Sequence, residues 1–383
     1  GGGRRFGRAT GLYDLHAGDD LSVIVGCGLG GTSLINAGVA LRPPTWVYVD
    51  DRWPTALRGA DRAPAELDPF FDEAERMLGS MPYPDDWREP TKLAALGRAA
   101  TGVGVTVQRP PINVTFADGP NAAGIEQREC ILCGDCVTGC NHRAKNTVVE
   151  NYLPDAVAHG AEVFCEASVR TVAPADTGAG GGWKVAFDDG ANGRTRFDAP
   201  ATFVFADVVV LAAGTLGSTE ILLRSRAEGL AVSPRLGHRF TGNGDVLAFA
   251  YDVKGGPSPL RGIGVGRRAV TPDNEVGPCI TGTIDLTGTP TPGKGVLVEE
   301  GAIPGALRAF MPGAFAVAAD IDDGGSPLAF ARRLWRRVRA TAGATLDPTG
   351  GPADRSLTYL VMSDDAGDGR LRLDGEALRV EWP

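Results

Sequence analysis

Apolar residues recur along the chain with two different periods, which predict helices and strands in separate segments. Residues 65–78 carry apolar side chains at helical spacing, and residues 147–159 look helical, with Gly160 as a C-terminal cap. Between residues 161 and 204 the period changes to two, with glycine-rich turns between short runs, which predicts a β-meander. The continuous apolar run at 207–211 then predicts a strand buried on both faces of a parallel sheet.

A glycine-rich turn at 212–218 and a helix follow that predicted strand, an arrangement that presents backbone amides to phosphate. Further on, longer glycine and proline loops separate isolated strands at 246–251 and 279–286. The predicted fold class is α/β with α+β character. A Rossmann-like parallel sheet with a β-meander would form a first domain at residues 1–237. An antiparallel sheet with helices would form a second, substrate-binding domain at 238–383.

Composition narrows the class of protein. The chain has 383 residues and 54 glycines, about twice the usual share, which calls for tight turns or a close approach of the backbone to a ligand. The net charge of −9 is unlike the basic footprint of a nucleic-acid-binding protein. No apolar run is long enough to span a membrane. The seven cysteines are too sparse for a disulfide scaffold, and they favour a reducing cytoplasm with a local metal or redox site.

One glycine pattern points to a dinucleotide. Gly26, Gly28 and Gly31 satisfy the G-x-G-x-x-G sequence, and Asp50 follows about where a ribose-binding acid would lie. The helix between them would be confined to about 32–40, because two prolines follow. That is short for a crossover helix that must pack across a sheet. We therefore disfavour a nicotinamide site built on these glycines.

A longer pattern around the same glycines resembles a known family. Residues 28–38 read G-L-G-G-T-S-L-I-N-A-G, which resembles the second flavin-contacting segment of glucose-methanol-choline (GMC) oxidoreductases, especially their cholesterol oxidase-like branch. Three further stretches resemble that branch in the same order. They are A-K-N-T with N-Y-L over 144–153, A-A-G-T-L-G-S at 212–218, and G-N-G-D at 242–245.

The resemblance implies an FAD-dependent oxidoreductase. In such enzymes the glycines let the backbone approach the pyrophosphate and the flavin, and the backbone of residues 36–39 would lie against the isoalloxazine ring. Asn243 would contact the substrate. The cofactor-binding positions that the resemblance implies are Gly28, Gly30, Gly31, Ser33, Asn36, Ala37, Gly38, Val39, Val163, Ala213, Gly214 and Gly217.

Four cysteines form a run with the C-x2-C-x2-C-x3-C spacing of bacterial iron–sulfur motifs: Cys130, Cys133, Cys136 and Cys140. In two-cluster ferredoxins the fourth cysteine of such a run ligates the other cluster, and only one run exists here. A single cluster would then need a remote thiolate, from Cys27, Cys165 or Cys279. Bare or redox-labile cysteines and a zinc site are the two alternatives to an iron–sulfur cluster.

Two adjacent carboxylates are candidates for catalysis. Glu299 and Glu300 fall where the resemblance implies an active-site glutamate a few residues before a proline, here Pro304. A carboxyl group in an apolar cavity has a raised pKa and can move protons at a carbon beside a carbonyl. That chemistry shifts a steroid double bond. We favour Glu300 over Glu299 for this role, and a solvated acidic turn is the alternative.

The implied reaction is oxidation of a secondary alcohol to a ketone, most directly at a sterol 3β-hydroxyl, with oxygen or another acceptor taking the electrons. The alternatives are an FAD-dependent dehydrogenase of another bulky alcohol or natural product, and a non-catalytic or iron–sulfur electron-transfer relative. Residues 326–340 predict a helix that mixes arginines with apolar side chains. It fits a core helix with a solvated basic face or a peripheral contact with an anionic membrane.

Both ends of the sequence lack family elements. The chain opens on G-G-G-R-R without a methionine and stops soon after a strand-like run. The resemblance implies that the first strand, its glycine loop and a ribose-binding glutamate precede residue 1, and that a catalytic histidine segment follows residue 383. We therefore expect these 383 residues on their own to bind FAD poorly and not to turn over.

Overall fold

The computed structural model describes residues 5–6, 11–18, 20–59, 61–175, 181–190, 202–256, 258–287, 295–311 and 351–383. The chain divides into two compact units. The first combines Gly1–Leu29, Gly160–Gly242 and Asp365–Pro383, and the second combines Gly30–His159 and Asn243–Asp364. Each unit is thus built from segments distant in sequence. The predicted domains at 1–237 and 238–383 stay a prediction.

The helices are α1 (Arg62–Leu78), α2 (Thr91–Gly102), α3 (Tyr152–Ala158) and α4 (Gly214–Ala227). The strands in chain order are β1 (Arg5–Phe6), β2 (Tyr13–His16), β3 (Val23–Gly26), β4 (Gly119–Pro120), β5 (Glu126–Gln127), β6 (Ala167–Ala175), β7 (Gly182–Asp189), β8 (Thr202–Ala206), β9 (His238–Phe240), β10 (Val246–Ala250), β11 (Thr283–Asp285), β12 (Val296–Gly301), β13 (Leu357–Ser363), β14 (Gly369–Asp374) and β15 (Ala377–Glu381).

The first unit contains three small sheets. Strands β1, β2 and β3 form one, β6, β7 and β8 form the meander, and β9, β14 and β15 form the third. Helix α4 packs against the meander through Ser225, whose hydroxyl accepts a hydrogen bond from the amide of Val172 at 2.8 Å. The predicted meander is confirmed, because β6 pairs antiparallel with β7 and β7 with β8.

The predicted strand at 207–211 is wrong. The last meander strand ends at Ala206, and α4 begins at Gly214. The segment between them has no ladder partner among the described residues, and Val208 and Val210 are 78% and 82% exposed. A run of branched residues has the same composition in a strand and in an extended connection, so a partner strand must decide between the two. All strand pairs in the described sheets are antiparallel, and the parallel Rossmann-like sheet is not confirmed.

The second unit contains a four-stranded antiparallel sheet in the order β10-β13-β12-β11. Helix α2 packs on this sheet and buries Leu96 and Ala100 against Ile284 of β11. Helix α2 is not among the elements predicted from the sequence pattern. Helix α1 is among them, and Gly79 ends it in the left-handed conformation with a φ of 56°. The two-stranded β4-β5 hairpin lies in the same unit, before the cysteine run.

The segment that follows Gly28 and Gly30 is less helical than the crossover helix of a nicotinamide-binding unit would have to be. A single 3₁₀ turn covers Gly31–Leu34 and another covers Thr45–Val49. The predicted helix at 147–159 is shorter, Tyr152–Ala158. The predicted helix at 326–340 lies outside the described residues. None of the helices in the described ranges combines the length and apolar character needed to cross a bilayer.

Candidate active site

A buried lysine organises the segment that the resemblance assigns to the flavin. The ammonium of Lys145 donates to the carbonyl oxygens of Leu34 at 3.1 Å, Asn36 at 2.7 Å and Cys136 at 3.2 Å. Burial lowers the pKa of Lys145. Ser33 adds a second tie, because its hydroxyl donates to the Gly30 carbonyl and accepts from the Val148 amide. The backbone of residues 30–38 is therefore held in place by Lys145 of the A-K-N-T stretch and by Val148, which follows it.

Glycines in this segment adopt conformations that other residues avoid. Gly30, Gly31 and Gly38 have φ values of 101°, 55° and 81°, in the left-handed region. A Cβ on Gly30 would lie 2.8 Å from the Val149 side chain, so that glycine is required by packing. A Cβ on Gly31 would meet nothing within 4 Å. The backbone at Gly31 is therefore open to close approach by a ligand.

The remaining predicted cofactor residues lie in the first unit. Gly214 has a φ of 70°, and a Cβ built on it meets nothing within 4 Å. It begins α4 directly after Ala213, whose amide donates to Ser218 at 3.0 Å. Gly28 has a φ of 135°, and Val163 is half-exposed. The predicted flavin residues are thus divided between the two units, and in each the backbone glycines leave room beside a helix start or turn.

The whole cysteine run lines one cavity of the second unit. Burial raises the pKa of the Cys133 thiol to about 12 and also raises the pKa values of Cys130 and Cys136. Across the described part of the chain, no three or more histidine, cysteine, aspartate or glutamate side chains are grouped so as to hold a metal ion. The four cysteines line this cavity, but they are not arranged to hold a metal ion in the described structure.

The two candidate carboxylates follow each other on β12, so their side chains point to opposite faces of the sheet. Glu300 faces α2 and is completely buried. Its Oε2 lies 2.5 Å from the ammonium of Lys92, and its Oε1 accepts from the amide and the hydroxyl of Thr281. Burial raises the pKa of Glu300, while the Lys92 ammonium and the Thr281 donors act to lower it. Glu300 is therefore a carboxylate whose oxygens are already paired.

Glu299 lies in a different environment. It is 2% exposed, and its Oε1 accepts no hydrogen bond from any described residue. Burial raises its pKa to about 7, with smaller contributions from the negative charges of Glu300 and Asp245. Asp245 belongs to the G-N-G-D loop, where Asn243 has a left-handed φ of 57°. The structure thus brings Glu299 within electrostatic reach of the loop that carries the predicted substrate residue.

The sheet face that carries Glu299 is largely apolar, with Thr283, Asp285 and Thr358 as its other polar members. Residues opposite each other across a ladder share a face, and Glu299 pairs with Leu360, which pairs in turn with Leu247. Leu297 precedes Glu299 by two positions on the same strand. We call this surface the leucine face (Leu247, Leu297, Leu360 and Glu299) and the opposite surface, which α2 covers, the helix face. A titratable carboxyl group on an apolar surface fits proton transfer to an apolar molecule.

Sequence reasoning missed two of the residues that organise this region. Lys92 and Lys145 are both almost completely buried, at 0% and 2% exposure. A buried cation needs an anion or several carbonyls around it, but nothing in a single sequence shows whether a lysine is inside. The available signal was local. Lys92 begins a stretch with Leu93 and Leu96 at helical spacing, which could have predicted α2.

Comparisons with known proteins identify the class. A family model described as GMC oxidoreductase matches residues 8–242. A cholesterol oxidase of Mycobacterium tuberculosis (strain CDC 1551 / Oshkosh) is 31% identical over 264 residues, covering 64% of this chain and 43% of that protein. A cholesterol oxidase of Acinetobacter baumannii is 29% identical over 261 residues, covering 63% of this chain and 46% of that protein. An uncharacterized GMC-type oxidoreductase of Mycobacterium tuberculosis is 32% identical over 216 residues, covering 56% and 29%.

The match to the family model covers more than half of the chain, and the chain belongs to the GMC oxidoreductase family. This confirms the resemblance drawn from the motifs at 28–38, 144–153 and 212–218. The chain spans less than half the length of the curated relatives that it matches.

Proposed function

We propose that this protein is an FAD-dependent oxidoreductase that oxidises a secondary alcohol of a bulky apolar molecule, most directly a sterol 3β-hydroxyl, to a ketone. Membership of the GMC family supports the reaction class. The observation that most directly supports an apolar substrate is the position of Glu299, a buried carboxyl group with an unpaired oxygen on the leucine face. The two cholesterol oxidases among the relatives agree with a sterol. The low cysteine density supports a cytoplasmic location.

The glycine geometry fits a dinucleotide cofactor. Gly31 and Gly214 expose open backbone with left-handed φ values, and Lys145 holds the carbonyls of residues 34–36 so that the segment keeps its shape. When bound, FAD would supply the hydride-accepting chemistry. In this proposal the segment 36–39 orients the flavin and Asn243 contacts the substrate. Ala213 and Gly217, at the start of α4, stay candidate flavin-binding residues of the other unit.

We assign the proton-transfer role to Glu299 in preference to Glu300. With a pKa near 7, Glu299 is present both as acid and as base at neutral pH. Its carboxylate would remove a proton from the carbon beside the new carbonyl and return it at the far end of the shifted double bond. Glu300 would keep its charge paired with Lys92 and position the strand. The sequence-based preference for Glu300 therefore gives way, in our proposal, to its neighbour.

The test is a product analysis on the full-length gene product with a sterol, a short alcohol and another bulky alcohol, using peroxide detection and an artificial acceptor in parallel. Glu299→Gln should lower conversion of an unconjugated 3-keto steroid to the conjugated ketone by roughly 10²- to 10⁴-fold and spare alcohol oxidation. Glu66→Gln, an exposed carboxylate on α1, is the matched control.

Four outcomes count against the proposal. Bound flavin with oxidation of short alcohols only would reject a bulky substrate. Oxidation of other bulky alcohols but not sterols would replace the sterol with another natural product. An unchanged isomer ratio in Glu299→Gln would remove the proton-transfer role. Absence of flavin from the purified full-length protein would reject the enzyme class and favour a non-catalytic relative.

A further inference from the structure

The two buried lysines of the second unit differ in what compensates their charge. Lys92 lies 2.5 Å from the carboxylate of Glu300. Lys145 is 2% exposed, and its three hydrogen bonds all go to main-chain carbonyl oxygens. No carboxylate of the described residues forms an ion pair with Lys145. Because a buried cation is costly without a countercharge, Lys145 favours an anion that the described carboxylates do not supply.

The three contacts of Lys145 fit its charged form. A lysine ammonium has three N–H donors and no acceptor, and here each donor meets one carbonyl, of Leu34, Asn36 or Cys136. A neutral amine has only two hydrogens and would turn its lone pair toward one of these oxygens. The three acceptors therefore oppose the effect of burial, which lowers the pKa of Lys145.

The contact with Asn36 also fixes the direction of the next amide. The Asn36 carbonyl points at Lys145, and because a trans peptide group is planar, the N–H of Ala37 points to the opposite side of the chain. The amides of Ala37 and Gly38 donate to no described residue. Gly38 is buried, and buried amides without an acceptor are rare in proteins. Two consecutive donors are thus left for a group that the described residues do not provide.

The conformation of Gly38 suits the binding of a negative charge. Its φ of 81° lies in the left-handed region, and its carbonyl is held by the amide of Asn113 at 2.7 Å. Consecutive amides beside a left-handed residue can form a concave donor pair that binds anions. The ammonium of Lys145 lies on one side of the segment and the amide of Ala37 points to the other. Both therefore favour negative charge on the side of residues 36–38 that faces away from Lys145.

We propose that Lys145 is a positioning residue that orients the peptide groups of residues 36–38 and gives them the positive potential that stabilises the negative charge of reduced flavin. This inference rests on the proposed function, which places the flavin against residues 36–39. The ring of oxidised flavin is neutral, whereas reduced flavin is an anion in neutral solution, and charge beside the ring tunes its reactivity. Lys145 would thus favour oxidation of the alcohol without touching the substrate.

The pyrophosphate of FAD is a second anion that a positive segment would attract. A positive charge beside the pyrophosphate strengthens the binding of oxidised and reduced FAD equally, so it leaves the redox equilibrium of the bound flavin unchanged. A positive charge beside the flavin ring acts on the reduced form alone. The midpoint potential of the bound flavin therefore separates the two sources of negative charge.

The experiment measures the midpoint potential and the dissociation constant for sulfite of the flavin in the full-length protein. Sulfite adds to oxidised flavin and leaves the ring negatively charged, so its affinity reports the same stabilisation without turnover. The parent should bind sulfite at least about tenfold more tightly than free FAD does. Lys145→Gln keeps N–H donors for the carbonyls but has no charge, and it should bind sulfite at least about tenfold more weakly than the parent. A tenfold change in a two-electron equilibrium is about 30 mV, so the potential should fall by at least that amount.

Three further variants separate charge from shape. Lys145→Arg keeps the charge and should restore most of the potential and of the sulfite affinity. Ser33→Ala removes a neutral contact from the same segment, because the Ser33 hydroxyl donates to the Gly30 carbonyl and accepts from the Val148 amide. It should weaken the binding of FAD without changing the potential. Lys254→Met removes an exposed lysine and should change none of these quantities.

A potential and a sulfite affinity equal to those of the parent in flavin-loaded Lys145→Gln would overturn the inference. If that variant also binds oxidised FAD more weakly, the charge serves the pyrophosphate instead. If Lys145→Gln does not retain flavin, the parent decides, because a bound flavin that takes up sulfite no more tightly than free FAD has no such stabilisation. These results leave the alcohol oxidation intact, whereas absence of flavin from the parent would overturn both this inference and the proposed function.

Discussion

Glu299 and Glu300 are adjacent on β12, and the two faces of the sheet place them in opposite situations. On the helix face, Glu300 meets a lysine, a hydroxyl and an amide, and both of its oxygens are bonded. On the leucine face, Glu299 is equally buried but keeps an unpaired oxygen, and its pKa rises to about 7. Burial alone therefore does not define a functional carboxylate. The difference lies in whether the protein supplies the partners.

The largest expected effect is on the helix face. Lys92→Met leaves the Glu300 carboxylate buried without its cation, and such a loss costs about 3–5 kcal/mol. Urea denaturation should show this decrease in the free energy of unfolding. Lys254→Met, which removes an exposed lysine 3.7 Å from Asp252, should cost less than about 1 kcal/mol. The double variant Lys92→Met, Glu300→Leu should recover most of the loss, because it removes both charges.

A Lys92→Met protein as stable as the parent would contradict this view of the helix face. It would mean that Glu300 becomes neutral without cost, and the contrast between the two carboxylates would disappear.

The leucine face should respond to pH. Because the pKa of Glu299 is raised above its ordinary value of 4.5 to about 7, its contribution to stability is fully present below pH about 4.5 and is lost as the pH rises through about 7. Glu299→Gln lacks this loss. Relative to the parent, the variant should gain up to about 3 kcal/mol between pH 5 and pH 8.

Urea denaturation of both proteins at several pH values measures this gain. Glu66→Gln should show no such pH-dependent difference. A gain of the opposite sign would mean that Glu299 is charged and paired in the folded protein, like its neighbour.

A smaller effect is expected at Thr281, whose hydroxyl donates to Glu300. Thr281→Val keeps the shape of the side chain and removes one donor to a buried carboxylate. Hydrogen bonds to charged groups contribute about 1.5–3 kcal/mol, so the free energy of unfolding should fall by that amount. An unchanged value would show that Lys92 and the Thr281 amide satisfy Glu300 without the hydroxyl.

The sequence predicted the elements of the molecule that depend on local pattern. The helix over 65–78, the meander and the cysteine loop all follow from spacing, and the motifs at 28–38 and 144–153 identified the family. The sequence could not show which of Glu299 and Glu300 is paired with a cation and which keeps an unpaired oxygen. Which face each carboxylate takes depends on the pairing of β12 with β11 and with β13, and β13 comes from a distant part of the chain. The same dependence on partners explains why the apolar run at 207–211 was misread as a strand.

The smallest expected change in stability, at Thr358, is the sharpest test of the difference between the leucine face and the helix face. Thr358 lies on the leucine face, opposite Gly301 in the ladder, and its buried hydroxyl has no hydrogen-bond partner among the described residues. Thr358→Val removes a polar atom that is desolvated without compensation, so stability should stay equal or rise by up to about 1 kcal/mol. Thr281→Val, the same substitution on the other face, should do the reverse. If both variants lose stability to the same extent, the Thr358 hydroxyl is hydrogen-bonded in solution, and the polar atoms of the leucine face do not lack hydrogen-bond partners. If they differ in sign, the protein keeps unpaired polar atoms on the face where we place the substrate, and a bound molecule would be what satisfies them.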